Sequence, residues 1–562
     1  MIKRFSSLNF DKVKIIVLCV ATGFLMFSWQ KVIAQSPNWI WAKKAGGFSN
    51  ELINSVATDA SGNVYVAGYF YDYSLIFGST TLNCAGFYDI FLAKYDANGN
   101  VIWAKRAGEN EHDASYSIAT DNYGNVYVVG SFISNTITFG TITLTNLSIF
   151  NDDMFIVKYD PSGNVIWAKS TGGIALDKAL SVTTDTLGNV YVTGVFGSNS
   201  IVFGSDTLTN SGTFNSFLTK YDSSGNVIWA KSLGGSFYDY SNSVATDASG
   251  YVYIGGYLAS DTVILGSDTL SNSGAADIFL AKYDPSGNVI WAKRAGGISD
   301  DEVNSVATDA WDKIYITGYF ESDTMTVGSA TLSNAGSKDM FIAAYDSSGN
   351  AVWANSAGGI TYDEAFSIAT DAPGNVYVTG SFNGSTITFG SDTLTNAGMS
   401  NIFLAKFDPS GNINWAKSAG GITYDVAYSV ATDASGNVFV GGIFSSPSIS
   451  FGSTVLTGND NELFIAKLNT INGVEKLQSN FEARVYPNPA NRIFTIQIIN
   501  DELRNINYEL IVYNMLGEKV FSKKADTDKT EIDLSNQPGG AYFIKAVIED
   551  MTLNQKIFIT GK

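Results

Sequence analysis

Acidic residues recur at one fixed place in this chain. Ten residues after each of seven tryptophans stand Glu51, Asp113, Asp177, Asp239, Asp301, Asp363 and Asp425. Four residues further on stand Ser55, Ser117, Ser181, Ser243, Ser305, Ser367 and Ser429. Seven carboxylates gathered round one opening would repel one another and favour a bound cation, and hard oxygen ligands suit Ca²⁺. The same spacing also reads as a repeated structural device, each carboxylate meeting backbone amides between neighbouring units. Ca²⁺ is the one cofactor these residues suggest.

Other chemistry is scarce. His112 is the only histidine among 562 residues, so Ser-His-Asp triads and His-rich metal sites are excluded unless His112 serves alone. Cys84 has no metal-ligand partner nearby in sequence, and Cys19 lies in an apolar N-terminal run. A glycosidase needs a pair of carboxylates flanking one bond. The carboxylates here repeat sevenfold, whereas a catalytic pair should break the symmetry, and no unique pair stands out. The chain is therefore expected not to be an enzyme.

The elements that position these residues follow from the repeat. Trp41, Trp103, Trp167, Trp229, Trp291, Trp353 and Trp415 are spaced 62, 64, 62, 62, 62 and 62 residues apart. A constant period means one supersecondary unit copied in a row. Within each unit an SVATD run, an NVYVTGYF run, an IFLAKYD run and an NVIWAK run read as four strands, rich in β-branched and aromatic residues. Two turns recur between them, as at Asp371–Asn375 and Asp408–Asn412. Asp accepts bonds from amides two or three residues on, and Gly and Asn tolerate positive φ. These turns are too short for a calcium loop of the EF-hand kind. A polar segment such as TITFGSDTLTNAG predicts a small extra hairpin between strands two and three. Blade five departs from the turn pattern at Asp309-Ala310-Trp311-Asp312-Lys313. The recurrent tryptophan is expected to pack between neighbouring sheets rather than to stack on sugars.

Four antiparallel strands copied seven times predict an all-β fold, a seven-bladed β-propeller over residues 35–471. The chain enters with a lone fourth strand at Trp39–Lys43, and the last unit stops at Leu468 without one. The N-terminal strand is expected to complete blade seven and close the ring, hiding two sheet edges. SVATDASGNVYVTG followed by FLAKYDPSGNVIWAK resembles the bacterial seven-bladed β-propeller repeat family. That resemblance implies the fold and a secreted location, and no single activity.

Residues 1–34 read as a secretory signal: Lys3, Arg4, Lys12 and Lys14 precede an apolar run from Ile15 to Trp29, short for a membrane span. No later segment is apolar enough to span a bilayer. A net charge of −19 disfavours nucleic-acid partners, which require clustered Lys and Arg.

The period stops near Asn469. Residues 472–480 read as a linker, and residues 481–562 as a small Ig-like β-sandwich of strands joined by Pro and Gly turns. Tyr486-Pro487-Asn488-Pro489, Tyr513-Asn514-Met515-Leu516-Gly517-Glu518, Pro538-Gly539-Gly540-Ala541-Tyr542-Phe543 and a terminal Lys562 follow in order. They resemble the type A C-terminal sorting domain of the type IX (Por) secretion system of Bacteroidetes. The resemblance implies the type IX machinery as partner, with Pro487, Asn488, Pro489, Gly517, Gly540 and Lys562 marking the recognition region. The functional expectation is a secreted or surface-attached, noncatalytic binding or adhesion module for an extracellular glycan or protein. The alternatives are a secreted polysaccharide-acting hydrolase or lyase, and a structural surface component.

Overall fold

The computed structural model describes residues 37–47, 51–71, 73–148, 150–458, 461–469, 481–500, 508–514, 518–548 and 551–560. The expected signal segment and linker lie outside these residues. Among the described residues no helix is long and apolar enough to cross a membrane. The chain divides into two compact units, with the boundary after Ile471.

The first unit is built from seven four-stranded antiparallel sheets. Blade five is typical, with strands Asp301–Thr308, Ile314–Phe320, Asp339–Tyr345 and Ala351–Ala357 in that order. The predicted extra hairpin is present as Thr324–Val327 and Ala330–Ser333. Blades one to four and six begin their first strands at Glu51, Asp113, Asp177, Asp239 and Asp363. Blade seven comprises Asp425–Thr432, Asn437–Phe444, Glu462–Asn469 and the N-terminal Trp39–Ala45, with Ala42 opposite Ala466. The ring therefore closes as the sequence predicts, and the outer edge of Glu462–Asn469 is covered rather than left to pair with another chain.

Each strand run buries one face against the next blade. Seven apolar clusters lie between neighbouring blades. In one, Tyr253, Ile278, Leu280 and Trp291 of blade four meet Val303, Ile314, Phe320 and Phe341 of blade five. Each such side chain contributes about 1.5–3 kcal/mol when fully buried.

The tryptophan joins blades by geometry as well as area. The Trp229 indole N–H donates to the Pro285 carbonyl at 3.2 Å, in the turn between strands three and four of the next blade. Trp41, Trp167, Trp291 and Trp353 make the same bond to the residue 56 positions on, and Trp103 makes it to Pro161, 58 positions on. The turn glycine lies on the indole: a Cβ at Gly287, where φ is +83°, would come 2.9 Å from Trp229 Cδ2. Glycine is thus required there both for its left-handed backbone and for its missing side chain.

The second unit has two sheets. One joins Phe481–Tyr486, Ile493–Asn500 and Lys529–Asp533; the other joins Lys519–Ala525, Tyr508–Tyr513, Gly540–Ile548 and Met551–Ile559. Phe494, Ile496 and Ile532 of the first pack with Leu510, Val512, Ile544 and Ile557 of the second in one core.

Candidate functional site

The seven acidic residues do not gather at an opening. Each is turned into its own blade; Asp113, Asp177, Asp239, Asp301, Asp363 and Asp425 are 0% exposed and Glu51 is 3% exposed. Asp301 shows what they do. Its Oδ2 accepts the Gly297 N–H at 2.7 Å and the Ser322 hydroxyl at 2.8 Å, while Oδ1 accepts the Glu321 and Ser322 amides at 3.1 and 3.2 Å. Asp113, Asp177, Asp239 and Asp425 hold Ser134, Ser198, Ser260 and Ser446 in the same way. Asp363 accepts the Gly359 amide, and Glu51 accepts the Gly47 amide. The carboxylate pins the loop that enters its blade to the loop that leaves its second strand. Among the described residues no group of three or more His, Cys, Asp or Glu could hold a metal ion. The calcium ring is therefore corrected to a set of separate loop clamps.

Burial opposes charge at these positions. It pushes Asp113 and Asp363 up to about 6 against the hydrogen bonds they accept, and raises Asp177, Asp301 and Asp425. The recurrent serines are also structural. Ser243 Oγ accepts the Val306 amide of the next blade at 3.0 Å, and Ser429 accepts Val56 across the closure at 2.9 Å. His112 is exposed and stacks on Phe87 with ring centres 5.2 Å apart. Burial pushes the Cys84 thiol up, away from the reactive thiolate.

The repeat breaks one residue further along. The first strands lie side by side around the ring, and their second and fourth residues stand half-buried on the channel side. At the second position are Leu52, Ala114, Lys178, Tyr240, Glu302, Glu364 and Val426. At the fourth are Asn54, Tyr116, Leu180, Asn242, Asn304, Phe366 and Tyr428. The Asp and Ser framework around them is nearly constant, yet the second position carries six residue types and the fourth carries four.

The variation has two electrostatic poles. Glu302 and Glu364 occupy neighbouring blades. Burial raises both above the usual carboxylate range; Tyr319 bonds Glu302, Asn304 Nδ2 lies 3.2 Å from Glu364 Oε1, and the Lys338 ammonium pulls both back down. Lys178 forms the opposite pole. Its ammonium is 3.6 Å from Asp152 Oδ2 and 5.6 Å from the centre of the Tyr116 ring. Burial works against that charge, but Tyr116 and Asp152 outweigh it and hold the Lys178 pKa above its ordinary value. Between the poles Tyr240 and Tyr257 stack with centres 5.1 Å apart and planes 8° from parallel. Phe366 and Tyr428 meet at 5.1 Å.

The loops from strand four to the next strand one surround this opening with apolar side chains. Ile174, Ile298, Ile360 and Ile422 are 66–82% exposed, and Phe237, Tyr362 and Tyr424 are about half exposed. Sequence reasoning passed over Glu302 and Glu364 because it followed what repeats. The signal was the reverse, variation from blade to blade at the second and fourth positions of a strand whose Asp, Ser and Thr recur.

In the second unit, Asn488 Oδ1 accepts the Phe558 amide at 3.0 Å, and the Ala490 amide donates to the Phe558 carbonyl at 2.8 Å. The Pro487-Asn488-Pro489 segment is thereby tied to the last strand. Gly540 opens the strand Gly540–Ile548 and has open space where a Cβ would be. Gly517 and Lys562 lie outside the described residues.

Comparison with known proteins agrees with both units. Residues 484–560 match the secretion system C-terminal sorting domain, and residues 102–131 match the β-propeller repeat. An uncharacterized WD repeat-containing protein of Acanthamoeba polyphaga mimivirus is 27% identical over 76% of this chain and 38% of its own length. The regulatory protein FlaEY of Caulobacter vibrioides is 24% identical over 52% of this chain and 32% of its own. The chain thus spans about a third of the length of these relatives. Among solved structures, a puromycin hydrolase mutant complexed with PGG is 10% identical, covering 80% of this chain and 58% of that one with a TM-score of 0.35. The copied blades, the repeat match and the type IX sorting tail identify the chain as a β-propeller repeat protein that is secreted or attached to the cell surface.

Proposed function

We propose that the propeller is a noncatalytic extracellular binding module, and that its glycan or protein ligand engages the face ringed by the strand-four-to-strand-one loops. The observation that carries this reading is the break in symmetry at one opening. A framework of clamped loops is copied seven times, while the side chains presented at one opening differ from blade to blade. A fold alone assigns no activity, so the reading rests on that site. Exposed apolar side chains gathered beside polar groups mark an interaction surface. The test is capture of glycans and of cell-surface proteins by the full chain, compared with Tyr240→Ala and Ile360→Ser variants. Loss of capture in both supports the reading; undiminished capture places the ligand elsewhere.

One observation favours a second reading. Glu302 and Glu364 form the unsymmetrical acidic pair that the sequence did not reveal, and burial raises both above the ordinary carboxylate value, the direction a general acid requires. A polysaccharide-cleaving activity abolished by Glu302→Gln or Glu364→Gln would replace binding with hydrolysis.

A further inference from the structure

Blades five and six make their side of the opening acidic. Glu302 and Glu364 come from the first strands, Asp300 from a loop, and Glu321 from just after the second strand; Glu364 and Asp300 act on Glu302, and Glu321 acts on Glu364. One cation, Lys338, faces them. Its ammonium sits 3.6 Å from the centre of the Tyr319 ring and 3.3 Å from Glu321 Oε1, so the site already holds an amine between an aromatic face and a carboxylate. One lysine against four carboxylates leaves the pole negative. The same loops carry Ile298 and Ile360, 74% and 82% exposed, and Tyr362 at 55%.

The apolar residues alone would suit many occupants, and the charge selects among them. An anionic polymer is repelled here, and a second copy of the chain brings a further net charge of −19. A neutral sugar leaves the carboxylates uncompensated. A bare divalent ion finds no group of three converging ligands among the described residues. A protein segment that carries a basic side chain among apolar ones matches both features. Resting on the reading of this face as the binding face, we infer that the blade five and six side of the opening takes a lysine or arginine side chain of a partner protein, whose apolar neighbours pack on Ile298, Ile360 and Tyr362.

The experiment uses the full chain immobilised on a biosensor. The probes are short peptides alternating leucine and lysine, with counterparts in which each lysine is acetylated or replaced by glutamate. The lysine peptide should bind, and acetylation should weaken it by about tenfold or more. The double variant Glu302→Gln/Glu364→Gln should lose a similar factor, while Glu531→Gln in the second unit should lose nothing. If the double variant melts early, the wild-type chain still decides: binding of the lysine peptide must fall as salt is raised, because the interaction is ionic. Equal binding of the acetylated peptide, or affinity indifferent to salt, overturns the inference. A glycan array run beside it separates the two claims. Glycan capture without peptide binding overturns the cationic segment and leaves the binding face, and silence in both assays overturns the binding face too.

Discussion

The Thr58 hydroxyl donates a 2.8 Å hydrogen bond to the carbonyl of Thr432, 374 residues away in the chain. Thr432 donates in turn to Thr370, Thr370 to Thr308, Thr308 to Thr246, Thr246 to Thr184, Thr184 to Thr120 and Thr120 to Thr58. Seven bonds of 2.7–3.0 Å form a closed circle at the ends of the innermost strands. The circle makes the closing seam equivalent to every other blade contact. Thr58→Val and Thr308→Val should therefore cost the same, about 1 kcal/mol each, in denaturant unfolding. A much smaller cost at Thr58 would mean that the seam opens in solution.

Blade five lacks the lysine that other blades place near the end of strand three. Lys220 and Lys282 donate to the carbonyls of Pro285 and Ser347 in the next blade, but the equivalent position is Ala344. The amine comes instead from Lys313, which replaces the turn asparagine and reaches the Pro409 carbonyl at 2.9 Å. Lys313→Ala should destabilise by about 1.5–3 kcal/mol, the range for a charged hydrogen bond. Adding Ala344→Lys should restore most of the loss, read as recovery of the melting temperature. No recovery would show that the two lysines are not interchangeable.

The acidic clamps need no metal. Asp301→Ala should lower stability by about 2–4 kcal/mol, since it strands buried amide donors. Calcium and chelator should give one melting temperature for the unsubstituted chain. A calcium-dependent rise that Asp301→Asn removes would restore the cation ring.

Acid should stabilise the propeller over a defined window. Burial lifts the folded-state pKa of Asp113, Asp153 and Asp363 to about 6, above the ordinary 3.8. A carboxyl group with a raised folded pKa contributes stability below its unfolded pKa and loses it as pH rises through the folded one. The turn aspartates Asp96, Asp160 and Asp408 act oppositely. They accept bonds from asparagine side chains and turn amides that lower their pKa, so their contribution is lost as pH falls below the ordinary carboxylate range. Melting temperature should rise from pH 7 to about pH 5 and fall below about pH 4. Asp363→Asn should flatten the upper limb, and an unchanged limb would show that Asp363 does not titrate there.

The turn glycine should tolerate no side chain. Gly287→Ala meets the Trp229 ring and a left-handed backbone together, at a cost of about 2–4 kcal/mol. Gly188→Ala shares the left-handed φ and approaches only the Ser223 Cβ, at 3.9 Å, so it should cost about 1–2 kcal/mol. Equal losses would remove the indole contact from the argument.

By itself the sequence determined the blade count, the strands, the turns, the closing strand and the sorting tail. Each depends on local chemistry copied at a constant spacing: aspartate and glycine in tight turns, β-branched runs between them, and a tryptophan that reaches the next unit. Which face of a strand meets the channel is not local. Asp301 and Glu302 are consecutive, and on a strand consecutive side chains point to opposite sides. A bulge between Val303 and Ser305 then inserts Asn304 and shifts the alternation again. Only the packing of one blade on the next settles that Asp301 is sealed among loop amides and Glu302 is presented at the opening. For the same reason the link between Lys313 and Ala344 was hidden. They lie 31 residues apart in sequence, and only the fold brings the Lys313 amine to the partner that Ala344 cannot reach.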